Sequence, residues 1–203
     1  MNSGSASSGA LTVIVSVIVA LLSGALVAYL NGLLMQMREN IKLYRDKAES
    51  IFSAMNHIVA VHSIVASDLT DINNKSDVED FLSKYGLRSD VMIGIFLDNG
   101  VVNTMVSIYF RDNLSRQQAV SYEISNLCYQ AIEDGQSLLD LDGEAFAARK
   151  MAIIADVSKR YKSFNDTCEA LSAGVLGHLS YIEDANTIKG SLKHLFRAGG
   201  IRG

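Results

Sequence analysis

Apolar side chains are concentrated in one uninterrupted run near the start of the chain. No charged residue occurs from Leu11 to Leu34. Since about 20 apolar residues cross the hydrocarbon core of a bilayer, this run is long enough to span it. A cleavable signal peptide is the alternative, but residues 1–9 carry no Lys or Arg, and no clear small-residue cleavage site follows the run. The pattern therefore predicts an uncleaved transmembrane helix over residues 10–34, preceded by a disordered N-terminus.

Small side chains recur at every fourth position within this span. They are Ser16, Ala20, Gly24, Ala28 and Gly32, which we call the small-residue stripe. At this spacing they lie on one face of a helix, and small residues let two helix backbones approach closely in lipid. Small residues are also common in membrane spans by chance, but five at a strict spacing favour helix–helix packing. The partner is either a second copy or another membrane protein.

Beyond the span the apolar pattern becomes a heptad repeat. Its steps alternate between three and four residues, which is typical of a helix with one continuous buried side. Charged neighbours predict a helical stalk over residues 35–50, whereas a broader apolar face from residue 51 to residue 66 predicts contact with more than one helix. The members that we single out, called the seam, are Ile41, Tyr44, Ile51, Met55, Ile58, His62, Val65 and Leu69.

His62 is the strongly polar member of the seam. A buried histidine there could fix the helix register or respond to pH. The simpler interpretation is a histidine satisfied by a neighbour at the surface of a bundle. His57 lies five residues away, a spacing that does not predict a shared metal site on this helix.

Capping residues and glycines divide the rest of the chain into further helices. A second heptad pattern after Asp142 predicts a long helix that packs antiparallel against residues 41–72. The predicted bounds are Ser76 or Asp77 to Tyr85 with Gly86 as the stop, Asn113 or Ser115 to Asp134 with Gly135 as the stop, and a start after Asp142 for the last helix.

Residues 91–110 are the most ambiguous part of the pattern. Val and Ile on both sides of Asn99-Gly100 are compatible with a hairpin. Two short helices, with Asp90 as N-cap and Gly100 as C-cap, are favoured because the apolar residues do not alternate. The stretch from Met92 to Phe110 also resembles the helix–turn–helix signature of a family of uncharacterised bacterial single-span membrane proteins with a small helical cytoplasmic domain. That resemblance covers residues 86–113 and the general layout. It implies helix, and nothing functional carries over because the family has no assigned activity.

The combined pattern predicts an all-α protein. A single N-terminal transmembrane helix continues into a long amphipathic helix and ends in a helical bundle over residues 51–197, with a flexible tail over residues 198–203. The absence of proline fits long uninterrupted helices.

Charge predicts location and partners. The cations Arg38, Lys42, Arg45 and Lys47 follow the span and none precedes it. The positive-inside rule then places the C-terminal domain in the cytoplasm and the N-terminus outside the cell (inner) membrane. A net charge of −4 gives no indication of nucleic-acid binding, and we expect no such partner. The expected partners are the lipid bilayer and copies of this chain or other membrane protein subunits.

The sequence contains no recognisable catalytic, nucleotide-binding or metal-binding motif. We find no phosphate-binding loop, dinucleotide turn, HExxH or CxxC pattern. Cys128 and Cys168 share no motif and fit two buried free thiols. The run Asp140-Leu-Asp142-Gly143-Glu144 lacks the ligand positions of a calcium loop and is better interpreted as a helix start. We therefore predict no enzyme activity, no cofactor and no metal.

Two functional hypotheses remain at this level. The first is a membrane-anchored structural or interaction protein that oligomerises or docks into a larger membrane complex through its transmembrane and heptad faces. The second is a membrane-anchored sensor-effector of the phage-defence or stress type, whose helical head relays a signal to the membrane. In this hypothesis the basic juxtamembrane residues and His62 would be the groups that respond to the signal.

Overall fold

The computed structural model describes the backbone of residues 5–186 and side-chain surroundings from Ser16 onward. This part of the chain contains helices and no strand, so the predicted all-α class is confirmed. The predicted tail at residues 198–203 and the end of the predicted bundle lie outside the described residues. The elements are α1 (Ser5–Asp71), α2 (Lys75–Tyr85), α3 (Asp90–Tyr109), a 3₁₀ turn (Arg111–Asn113), α4 (Leu114–Leu139) and α5 (Gly143–Ala185).

The described residues fall into two compact units. One contains the N-terminal part of α1 and the last described residues, and the other is Tyr44–Ile182, which we call the helical domain. The domain begins inside the segment predicted as a stalk, because Tyr44 packs edge-on against Tyr109 and Phe110, with ring centroids 6.0 and 5.9 Å apart. At the other end, α1 includes residues 5–9, for which the residue pattern predicted a disordered N-terminus.

Helices α1 and α5 pack against each other in opposite directions within the helical domain. Tyr44 of α1 contacts His178 of α5, His62 contacts Phe164, and Asn73, two residues after the end of α1, contacts Lys150. From one contact to the next, the residue number increases on the α1 side and decreases on the α5 side, so the predicted antiparallel packing is confirmed. Buried side chains from α2, α3 and α4 join this pair in one hydrophobic core. Its largest fully buried members include Ile58, Tyr85, Phe110, Ile124 and Phe164.

Helix α3 corrects the prediction for residues 91–110. The segment is neither a hairpin nor two short helices but one continuous helix, and its N-cap is Ser89 rather than Asp90. The hydroxyl of Ser89 accepts a hydrogen bond from the backbone N–H of Met92 at 3.3 Å. Glycine inside a helix costs about 1 kcal/mol relative to alanine. The helix nevertheless continues through Gly100, because side chains on both sides of it, such as Val102, are buried in the core.

Helix α4 also continues past its predicted stop. We expected it to end at Asp134, but it runs through Gly135 to Leu139. A Cβ atom at Gly135 would lie 3.1 Å from Cδ1 of Phe81 and 3.0 Å from Cδ2 of Leu82 on α2. The glycine therefore permits a close contact between α2 and α4 and does not act as a helix stop.

The remaining helix ends agree more closely with the sequence pattern. Helix α2 ends before Gly86 as predicted but begins at Lys75, because Asn74 is its N-cap and accepts a hydrogen bond from the backbone N–H of Asp77 at 3.0 Å. The predicted starts of the two following helices, after Asn113 and after Asp142, are confirmed.

Two glycines on α5 provide a matched test of this packing. A Cβ atom at Gly174 would overlap Oδ1 of the buried Asn113, whereas one at Gly177 would meet no atom within 4 Å. We expect Gly174→Ala to lower the free energy of unfolding by about 1–3 kcal/mol. The control Gly177→Ala should raise it by up to about 1 kcal/mol, because only helix propensity changes. Denaturant unfolding of the full chain in detergent measures both, and an equal effect of the two variants contradicts the close contact between Gly174 and Asn113.

Candidate functional site: an exposed apolar helix and a buried histidine

The N-terminal part of α1 is apolar and uncovered by protein. Every described side chain from Ser16 to Gly32 is exposed, including Leu21 at 68 %. The small-residue stripe lies within this segment, and a Cβ atom at either Gly24 or Gly32 would meet nothing within 4 Å. Exposed apolar surface of this extent is unfavourable in water, so the segment needs lipid or another protein around it.

Two helical segments are long and apolar enough to cross a membrane, among the residues that the structure describes. They are Ser16–Asp71 and Lys75–Tyr109. The most apolar 18-residue window of the first has none of its residues buried, and that of the second has 22 % buried. The N-terminal helix is therefore a candidate membrane span, as the sequence suggested, while the second segment includes α3 and also contributes side chains to the domain core.

The seam lies mostly inside the helical domain. Ile41, in the other unit, and Tyr44 are half-buried. The rest of the seam has at most 4 % of its surface exposed, namely Ile51, Met55, Ile58, His62, Val65 and Leu69. The broader apolar face after residue 51 is also covered, because Phe52, Val59 and Val61 pack against the core.

His62 is the one seam residue with chemistry of its own. Its ring packs edge-on against Phe164 of α5, with centroids 5.2 Å apart. Its Nε2 atom is buried without a hydrogen-bond partner. Burial lowers the pKa of His62 to about 4, because desolvation disfavours the charged imidazolium. The expectation of a histidine satisfied by a neighbour does not fit this unpartnered nitrogen.

A small cavity of about 30 Å³ lies beside His62. Apart from His62, its polar lining residues are Arg160 and Tyr161 of α5. Both are engaged elsewhere, since Arg160 binds two carboxylates and the hydroxyl of Tyr161 donates to the backbone oxygen of Val59 at 3.2 Å. No acidic residue lines the cavity. A proton on His62 would therefore have no carboxylate within the cavity to neutralise it.

Asp134 is a buried carboxylate that sequence reasoning missed. Its Oδ2 accepts a hydrogen bond from Arg160 at 2.6 Å, and its Oδ1 accepts one from Arg149 at 3.0 Å. Both arginines lie on α5, so the carboxylate fixes α4 against α5. The signal in the sequence was their spacing of eleven residues, which puts two cations on one face of a helix after three turns.

Two further groups of hydrogen-bonded polar side chains connect α1 to its neighbours in the domain. Nδ1 of His57 lies 2.5 Å from Oδ2 of Asp98 on α3. Asp68 accepts hydrogen bonds from Lys84 and Tyr85 of α2, and these lower the pKa of its carboxyl group, with the bond from Lys84 contributing most. These groups are bound to one another and are structural links rather than an open reactive site.

The cysteines are free and buried, as the sequence suggested. Burial raises the pKa of Cys128 to about 12, and burial with help from the charge of Glu123 does the same for Cys168. Because the thiolate is the reactive form, both thiols are poor nucleophiles at neutral pH.

Stability should depend on pH through His62. The folded state holds His62 neutral down to about pH 4, whereas the unfolded chain binds the proton near pH 6.5. The unfolded state therefore carries more protons between these values, so stability is complete above about pH 6.5 and decreases as the pH falls towards 4, by up to about 3 kcal/mol. Denaturant unfolding at several pH values across this range measures how the free energy of unfolding changes with pH.

The variant His62→Leu should remove most of the decrease in stability between pH 6.5 and pH 4. Its stability at pH 7 should be unchanged or higher, because a nitrogen without a hydrogen-bond partner is replaced by carbon. The control Ile58→Val, on the same buried face, should lower stability by about 1 kcal/mol at every pH. A slope that persists in His62→Leu contradicts the assignment to this histidine.

No protein-family model matches the chain, and neither the curated proteins nor the solved structures contain a match. The resemblance of residues 86–113 to a family of bacterial single-span membrane proteins stays a prediction.

Proposed function

We propose that this chain is a membrane-anchored interaction protein without enzymatic activity. The observation that carries the proposal is the N-terminal part of α1, whose described apolar side chains are exposed from Val17 onward. In the proposal the segment crosses the bilayer once, with the helical domain in the cytoplasm. Its small-residue stripe packs against a second copy or another membrane subunit, and the domain presents a folded surface to a cytoplasmic partner.

Burial supports a single crossing. The segment Lys75–Tyr109, which contains α3, is also long and apolar enough to cross a membrane. Its side chains Met92, Ile95, Val102 and Val106 are nevertheless fully buried in the domain core. Moving them into lipid would uncover the matching faces of the other helices. A helix in the core of a water-exposed domain can be equally long and apolar without crossing a membrane.

The sensor-effector hypothesis is supported by one observation, the unpartnered Nε2 of His62. A group that can gain charge inside a packed core is able to change the packing when conditions change. If this role is correct, overexpression should arrest growth or depolarise the membrane, and Gly24→Ile should abolish the effect. Overexpression without either effect argues for the interaction role alone.

The stripe is tested by Gly24→Ile. A branched side chain at its centre holds two backbones apart, so we expect association in detergent or lipid to weaken about tenfold, the equivalent of about 1.4 kcal/mol. The control is Leu26→Ile, which lies two residues away and points to the opposite side of the helix. Native mass measurement after mild extraction gives the assembly state. A chain that is monomeric and unaffected by either change contradicts packing through the stripe.

The orientation is tested by protease protection. With the domain in the cytoplasm, protease added to intact cells should leave a C-terminal epitope uncut, and permeabilised cells should lose it. The reason is the cation excess after the span, including Arg38 and Lys42. Cleavage of the epitope in intact cells reverses the proposed topology.

A further inference from the structure

Asn31 is a carboxamide inside the predicted membrane span. The uncharged run from Leu11 to Leu34 contains it, and the first charged residue after the run, Arg38, lies seven positions further on. At 1.5 Å per residue, this spacing places Asn31 about 10 Å before Arg38 along the helix axis. The side chain of Asn31 is exposed on the surface of α1. In the proposed function it is therefore surrounded by lipid or by a neighbouring helix.

The carboxamide of Asn31 forms no hydrogen bond with any residue that the structure describes. Ser23 in the same span is a contrasting case, because its hydroxyl donates to the backbone oxygen of Val19 at 2.7 Å and is satisfied within its own helix. An amide that leaves water without gaining a hydrogen bond is destabilising, since nothing replaces its bonds to water. In lipid, Asn31 therefore requires a partner.

Asn31 is too far from the cytoplasmic end of the span to find this partner in water. Side chains on a helix tilt towards its N-terminus, which here leads away from Arg38 and deeper into the bilayer. The asparagine side chain also lacks the long stem that lets lysine and arginine reach the membrane surface. The hydrogen-bond partner therefore has to come from another helix at the same depth.

Asn31 lies on the same side of α1 as the small-residue stripe. It follows Gly24 by seven residues, which is two helical turns to within about 20°. Ala28 of the stripe lies about one turn before it, and Gly32 directly follows it. Small side chains around an asparagine let a second backbone come close enough for its short amide to be reached. A helix that packs on the stripe is therefore in position to bind Asn31.

We propose that Asn31 pairs with Asn31 of a second copy of this chain, in a parallel dimer whose two-fold axis passes beside the small-residue stripe. The proposal rests on the membrane-anchored interaction protein of the proposed function and names its partner. Two copies inserted in the same orientation hold residue 31 at the same depth, and residues beside a two-fold axis meet their own counterparts. A carboxamide is both donor and acceptor, so two of them bind each other reciprocally. A different subunit would need its own polar side chain at this depth, whereas a second copy always has one.

Energy transfer between labelled copies of the full chain, reconstituted in phosphatidylcholine vesicles, measures the pairing. Asn31→Leu should weaken self-association about tenfold, because the hydrogen bonds are lost while leucine preserves insertion into lipid. Asn31→Gln keeps the carboxamide and should retain most of the association. The matched control Tyr29→Phe removes a hydroxyl two residues away, on the opposite side of the helix, and should change nothing. Native-strength association of Asn31→Leu overturns the proposal.

Mixed samples distinguish a pair of identical amides from a bond between Asn31 and a different group. A native copy paired with an Asn31→Leu copy has one amide without a partner. We therefore expect this mixed pair to be no stronger than a pair of two Asn31→Leu copies. If Asn31 instead binds a backbone oxygen or a serine of the other chain, the mixed pair keeps one of two bonds. Its strength is then intermediate, and that result also overturns the proposal.

Gly24→Ile separates failure of this proposal from failure of the proposed function. If Gly24→Ile weakens association and Asn31→Leu does not, packing through the stripe stands and only the amide pair is rejected. A purified chain that is monomeric in vesicles, but is extracted from cells in a complex with another membrane protein, overturns the pairing of two copies and leaves the interaction role intact. A chain that is monomeric in both settings contradicts both proposals.

Discussion

Helix α1 can stay in the helical domain only if one continuous strip of its side chains is covered. That strip runs from Ala48 to Ile72 and is buried at every heptad position. One helix cannot cover a face this broad, so α5 packs along it in the opposite direction while the other helices complete the core. Burying a large aliphatic side chain contributes about 1.5–3 kcal/mol, and truncating one to alanine costs about 2–5 kcal/mol. The arrangement of the other four helices follows from covering this strip.

Periodicity was sufficient to predict the parts of the fold that depend on this packing. The heptad positions of α1 and the second heptad series, which ends at Ile182, each predict an apolar stripe, and two such stripes can cover each other. In the second series Phe164, Cys168, Leu171 and Val175 are buried. The helix starts after Asn113 and Asp142 were readable from the preference of short polar residues for the position before a helix, although the side chain of Asn113 makes no cap hydrogen bond and instead accepts one from Arg116.

Glycines were misread because their role depends on tertiary contacts. Gly86 ends a helix, whereas Gly100 and Gly135 lie inside helices. The local sequence looks similar in all three cases. At Gly135 the deciding fact is the approach of Phe81 and Leu82 from α2, which a single sequence does not reveal. At Gly100 the burial of flanking side chains outweighs the propensity cost.

Buried polar groups were the least predictable part of the candidate site. Asp134 is neutralised by two arginines from a helix that begins four residues after its own helix ends, so its partners could be named only after the packing was known. His62 was recognisable as a polar member of the seam, but its missing partner was not. Whether a buried nitrogen is satisfied depends on atoms from α4 and α5, which the pattern of α1 does not contain.

The two exposed apolar surfaces of the chain differ in a way that bears on function. The N-terminal part of α1 is exposed on all sides from residue 16 to residue 32, as a helix surrounded by lipid has to be. Helix α3 is apolar on two sides, with one in the core and one outward. A soluble domain that needed only to fold would carry charged residues on the outward side, because they add solubility at almost no cost to stability. Between Ile93 and Ile108 the only ionisable residue is Asp98, which is bound to His57, so α3 lacks the surface charges that such a domain would carry.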